Sequence, residues 1–188
     1  MILKKLGVIA ILAIFSSVVS VFAQDSEWAK LIHEAQAKYN YGLYDQAEEL
    51  DTKALELAEH NGDPKQVNVA VTLNNLGIVF KAKRQYLQAE LLFKRALEIN
   101  EKNYGSDSIL ITADLTNLAF LYKEQGQYEI AEPYFKRPLE IYERTFPHGH
   151  PQTLQYMENL ASFYRAALRT QEAEEIEKHI ATIRSVNK

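Results

Sequence analysis

The residues best suited to chemistry in this chain recur at a fixed distance. Lys81, Lys123 and Arg165 are spaced by 42 residues, and so are Asn75, Asn117 and Asn159. Three cations in one row would attract an acidic or phosphorylated segment. A side-chain amide both donates and accepts, so a row of amides can hold an extended peptide backbone whatever its sequence. Two histidines, His148 and His150, flank Gly149. No third ligand at a matching spacing accompanies them, which makes a poor zinc site. No nucleophile elbow, phosphate loop or paired zinc motif is present. These residues describe a binding surface; no enzyme, cofactor or metal is expected.

What must position them is an array. The 42-residue period carries Leu73, Leu115 and Met157, then Leu76, Leu118 and Leu160, then Gly77, Ala119 and Ala161. Phe80, Tyr122 and Tyr164 follow in register, and after a break so do Ala89, Ala131 and Ala173. Apolar residues recur at three and four within each unit, which is a helical face, and strand alternation is nowhere sustained. Short breaks such as Arg84-Gln85 and Gly126-Gln127 divide each unit into two antiparallel helices. Stronger punctuation separates the units: Asn61-Gly62-Asp63-Pro64, Gly105-Ser106-Asp107 and Pro147-His148-Gly149-His150-Pro151. The spacing predicts eight helices, over about 27–40, 45–60, 65–83, 87–103, 108–125, 128–145, 152–168 and 171–186. The fold class is all-α, with about four helix-turn-helix units over 28–69, 70–111, 112–153 and 154–188. The first unit is degenerate, with Glu34, Lys38 and Asp51 in place of apolar residues, and the last helix also becomes more polar. Polar ends are what a finite array needs.

Counted from Ala70, the small and apolar landmarks Leu73, Leu76, Gly77, Phe80, Tyr86, Ala89, Phe93 and Ala96 resemble the tetratricopeptide repeat. The period is longer than that family's usual ~34 residues. LNNLG, YLQAELLFKRALEINEKNYG and YEIAEPYFKRPLEIYERTFPHGHP are similar to the kinesin-light-chain variety of the repeat. The resemblance covers roughly residues 28–186. It implies an α-α superhelix whose first helices line a concave groove for peptides or partner proteins. It implies no motor activity. Ile32 and Gln36 stand where the family's carboxylate clamp would place lysine and asparagine, so that clamp is not expected.

If Leu73, Leu76, Gly77 and Phe80 face the partner helix, the neighbouring stripe is Asn74, Ile78 and Lys81. Its equivalents are Thr116, Phe120 and Lys123, then Glu158, Ser162 and Arg165, with the asparagines 75, 117 and 159 one residue further round. The groove expected to bind peptide is therefore lined by Asn74, Asn75, Ile78, Lys81, Thr116, Asn117, Phe120, Lys123, Asn159, Ser162 and Arg165. For the cations the alternative is a solvated face balanced by glutamates such as Glu124. For the amides it is a structural hydrogen bond to the preceding loop.

The N-terminus reads as a targeting segment. Lys4 and Lys5 precede the apolar run LGVIAILAIFSSVVS, and Val21-Phe22-Ala23 fits a cleavage site, so residues 1–23 are expected to be a secretory signal. Uncleaved, the same run would anchor the chain to a membrane. Either way the remainder, 24–188, is expected to be exported, periplasmic or secreted. That remainder keeps 19 basic and 25 acidic side chains, which argues against nucleic acid. Cysteine is absent, so helix packing alone must hold the chain together. The function expected is that of an adaptor or scaffold binding a protein or peptide segment. The rival is a structural subunit of an envelope assembly, self-associated or permanently packed.

Overall fold

A computed structural model describes residues 27–60, 62, 66–147 and 149–186. The proposed signal 1–23 and His148 lie outside them. The described chain is helical over 27–40 (α1), Tyr44–His60 (α2), Val67–Ala82 (α3), Tyr86–Tyr104 (α4), Thr112–Glu124 (α5), Tyr128–Thr145 (α6), Pro151–Ala166 (α7) and Thr170–Val186 (α8). Among the described residues there is no strand. The helices pack in chain order, α3 on α4, α5 on α6 and α7 on α8, with α4 on α5 and α6 on α7 joining the units. The first helices α3 and α5 also touch. The largest difference from the spacing lies before α5, where the chain makes a 3-10 turn at Ile109–Ile111, capped by Ser108, whose hydroxyl accepts the Leu110 N–H.

Each hairpin turns through one left-handed residue. Gly42, Arg84, Gly126 and Leu168 sit one period apart with φ of 73°, 59°, 71° and 61°. After each, the next N–H reaches back five residues: Leu43 to Lys38, Gln85 to Phe80, Gln127 to Tyr122 and Arg169 to Tyr164. This is the Schellman closure, which satisfies a helix-end carbonyl and demands a positive φ. Glycine adopts that conformation without strain, whereas a residue with a Cβ is held there at about 1–2 kcal/mol. Leu168 is 89% exposed and packs on little that would be lost. Leu168→Gly is therefore expected to raise the urea midpoint by about 1 kcal/mol of stability. A lower midpoint would mean that the leucine makes an apolar contact worth more than its backbone strain.

The core alternates small and large residues. A Cβ on Gly77 would lie 2.4 Å from the Phe93 ring, so only glycine lets that ring seat against α3. In the next unit Ala119 takes this place, and Phe135 stacks on Phe163 at 4.8 Å and meets Phe120 edge-on at 5.3 Å. Pro138 is buried at the register position of Ala96, inside α6. The sequence predicts a bend there because proline offers no N–H and crowds the preceding turn. The helix α6 runs from Tyr128 to Thr145 with both Pro133 and Pro138 inside it.

Polar contacts repeat with the period at the unit junctions. Tyr122 donates its hydroxyl hydrogen to Glu90 at 2.9 Å, and Tyr164 does the same to Glu132 at 3.0 Å. Lys94 and Lys136 complete the two sets at 2.6 Å from the same glutamates. Arg169 adds a second cation to Glu132, and chiefly for that reason the Glu132 carboxyl is held down at about 2. At the first junction Phe80 has no hydroxyl, and Lys83 bridges to Glu48 at 2.6 Å instead. Trp28 pins α1 to α3 by donating its indole N–H to Thr72 at 2.9 Å.

Candidate peptide-binding face

The first helices place the three cations in sequence but give them different partners. Lys81, on α3, reaches along the array to Glu124 at the end of α5, 3.2 Å away. Arg165, on α7, turns back onto its own hairpin and makes a two-pronged pair with Glu177 of α8 at 2.8 and 2.7 Å. Lys123, between them, has no carboxylate partner among the described residues. Its ammonium donates to the Ser162 hydroxyl at 3.1 Å and stands 5.8 Å from the centre of the Phe120 ring. Partial burial holds this ammonium below the usual lysine range. The half-buried Phe120 ring, the cation above it and the exposed Ser162 hydroxyl thus form one patch in the middle of the array.

The asparagines divide into two kinds. Asn74 and Asn117 belong to a half-buried network: Asn117 donates to Asn74 at 3.2 Å, Asn74 donates to one oxygen of Asp114, and Asn100 donates to the other at 2.8 Å. Asp114 is 1% exposed, and its burial raises the carboxyl above its ordinary value while the two amides lower it. These amides tie α3, α4 and α5 together. Asn159, half-buried on α7, accepts from Gln155 at 3.3 Å. Asn75 and Ile78 line a small pocket between α1, α2 and α3, together with Gln36, Tyr39 and Asp51. Thr116 donates to the Thr112 carbonyl of its own helix at 2.7 Å. Glu158 pairs with Arg184 at 2.6 Å, away from Arg165.

Of the two histidines considered for metal, His150 caps α7, its ring nitrogen accepting the Gln152 N–H at 3.2 Å while its ring stacks on Phe146. Spacing alone missed Asp51, Asp114 and Asn100. A signal for Asp51 did exist, because the period sets it in register with Phe93 and Phe135.

Comparison with known proteins bears on this geometry. No curated protein matches the sequence. BtubC (BKLC) from P. vanneervenii is 27% identical, with a TM-score of 0.75 over 87% of this chain. The chain spans 65% of that protein's length. A Podosopora anserina protein with nearly identical kinesin-light-chain TPR-like repeats gives a TM-score of 0.77 at 21% identity, over 87% of this chain and 77% of its own. A single-substitution variant of those repeats gives 0.75 at 22%, over 85% and 76%. These likenesses show an α-α solenoid of the kind the period predicts. The tetratricopeptide repeat profile matches residues 30–102 and 110–185, most of the chain, so this protein belongs to the tetratricopeptide repeat family.

Proposed function

We propose that the chain is an exported adaptor that binds a protein or peptide segment along its first helices, centred on Phe120, Lys123 and Ser162. Tetratricopeptide repeats serve protein–protein interaction, which supports the general reading. The observation that carries the local one is Lys123, a partly desolvated cation over an aromatic ring with no carboxylate partner among the described residues. An acidic residue on the ligand would supply that charge, and an apolar or aromatic neighbour would lie on Phe120. Lys81 and Arg165 contribute less, since Glu124 and Glu177 already hold them.

Lys123→Gln is expected to weaken capture of a fluorescent library of acidic, aromatic-containing nonapeptides by about tenfold, or about 1.4 kcal/mol. It should also flatten the salt dependence and leave the helical circular dichroism unchanged. Adding Lys81→Gln and Arg165→Gln should do little more. Equal affinity and salt dependence in the triple variant would move the binding surface elsewhere. Light scattering addresses the rival reading, since a stable self-assembly of residues 24–188 would favour a structural subunit.

Export rests on Lys4, Lys5, the apolar run and Val21-Phe22-Ala23. The native protein is expected to begin at Gln24 by terminal mass spectrometry. An intact Met1 in the membrane fraction would replace the signal with an anchor.

A further inference from the structure

The period that places phenylalanine at 93 and 135 places a carboxylate at both ends of the array, Asp51 and Glu177. The two ends treat it differently. At the C-terminal end Glu177 receives the forked guanidinium of Arg165. At the N-terminal end the register counterpart of Arg165 is Tyr39, which brings no positive charge. Asp51 is 2% exposed, and its Oδ1 has no hydrogen-bond partner among the described residues. It sits where a ring would fill the core, and the space left by the shorter side chain is the pocket lined by Ala35, Gln36, Tyr39, Asn75, Ile78 and Val79. A buried carboxylate oxygen with nothing to accept from is costly, and such groups in native proteins demand an explanation.

We propose that this pocket receives the ammonium of a lysine side chain from a bound peptide, with Asp51 as its counter-ion. The assignment rests on the peptide-binding reading only in taking the lysine from a peptide. The space holds one group of about the size of a water molecule, which suits a compact ammonium better than a planar guanidinium. Half-buried Ile78 offers apolar wall to the lysine stem outside that space, while Gln36, Tyr39 and Asn75 bring oxygens for the remaining ammonium hydrogens. Folding has already stripped Asp51 of water, so an entering cation gains attraction at low dielectric without desolvating the carboxylate afresh. Lys81, on the same helix as Asn75, is held by Glu124. Glu124 also acts on Tyr39, adding negative charge near this end of the face.

The test uses n-butylammonium chloride as the probe, on the full chain with carboxyl-labelled aspartate observed by NMR. Saturating probe is expected to lower the proton affinity of Asp51 by about tenfold. n-Butanol, or sodium chloride at equal ionic strength, should leave it unchanged. An equal response to sodium would make the pocket a small-cation site, and no response to any probe would make it a water site; either overturns the proposal. The second arm compares nonapeptides carrying lysine, norleucine or arginine at one fixed position. Lysine should bind at least about tenfold tighter than norleucine in the wild type and equally in Asp51→Asn. A response to butylammonium without any lysine preference would keep the cation pocket and reject the peptide as its source. A failure of Lys123→Gln to affect acidic peptides touches only the earlier reading.

Discussion

Asp51→Asn is expected to be more stable than the wild type at pH 8 and equal to it at pH 4. Burial alone pushes the Asp51 carboxyl up from 3.8 to about 7. Among the residues lining its pocket Tyr39 is the only other titratable group, and α3 contributes just Asn75, Ile78 and Val79. Between those two pH values the folded chain keeps a proton that the unfolded chain has released. Stability therefore falls as pH rises through this window, and the contribution fully present below 3.8 is lost above about 7. A difference of about three pH units corresponds to roughly 4 kcal/mol. Asparagine has the same shape and no charge to desolvate, so the gap between variant and wild type should open from pH 4 to 8. Urea titrations at four pH values measure it. Parallel curves would mean that water or a rearranged neighbour already satisfies the carboxylate. A gap that closes when n-butylammonium is added would unite the stability cost with the binding role: the array would carry a strained carboxylate because its ligand relieves it.

How much of this could be read in the residues depends on whether a feature repeats. The helix pairs, the small residues at Gly77, Ala119 and Ala161 and the left-handed turns at 42, 84, 126 and 168 all follow the period. Each unit solves the same packing problem, so the register reports them. The cations share a register position too, yet their surroundings diverge. Arg165 finds Glu177 because the aromatic position has become acidic there, whereas Lys123 has Phe135 in the equivalent place and has no carboxylate partner among the described residues. The neighbouring amides diverge for a related reason. Asp114 is in register with Thr72 and Tyr156, so the acceptor that draws Asn74 inward occurs once and leaves no periodic trace. Asp51 was visible as a polar substitution in a degenerate unit, but the sequence cannot say whether neighbours close over it. The burial at 2% exposed and the pocket beside it are consequences of packing.

Asp114→Ala should be among the most damaging single changes in the described chain. The carboxylate is 1% exposed and accepts from Asn74 and Asn100, one amide on each oxygen. Removing it strands two half-buried amide donors from different helices and unseats Asn117, which donates to Asn74 at 3.2 Å. Hydrogen bonds to a charged acceptor contribute about 1.5–3 kcal/mol each, and unpaired buried donors keep their desolvation cost. The expected loss is about 3–5 kcal/mol, a large part of the ~5–15 kcal/mol typical of a folded domain. Asp114→Asn keeps one acceptor oxygen and turns an N–H toward the other amide, so it should lose roughly half as much. The discriminating measurement is a double-mutant cycle at one pH. If the residues act as a unit, Asn100→Ala should cost little once Asp114 is alanine, with a coupling of at least about 1 kcal/mol. Additive effects would show that the amides find water instead, and that α3, α4 and α5 are joined by apolar packing without help from the network. A coupled network would give Asn74 and Asn117 a structural role, leaving Phe120, Lys123 and Ser162 as the part of the middle of the face available to a ligand.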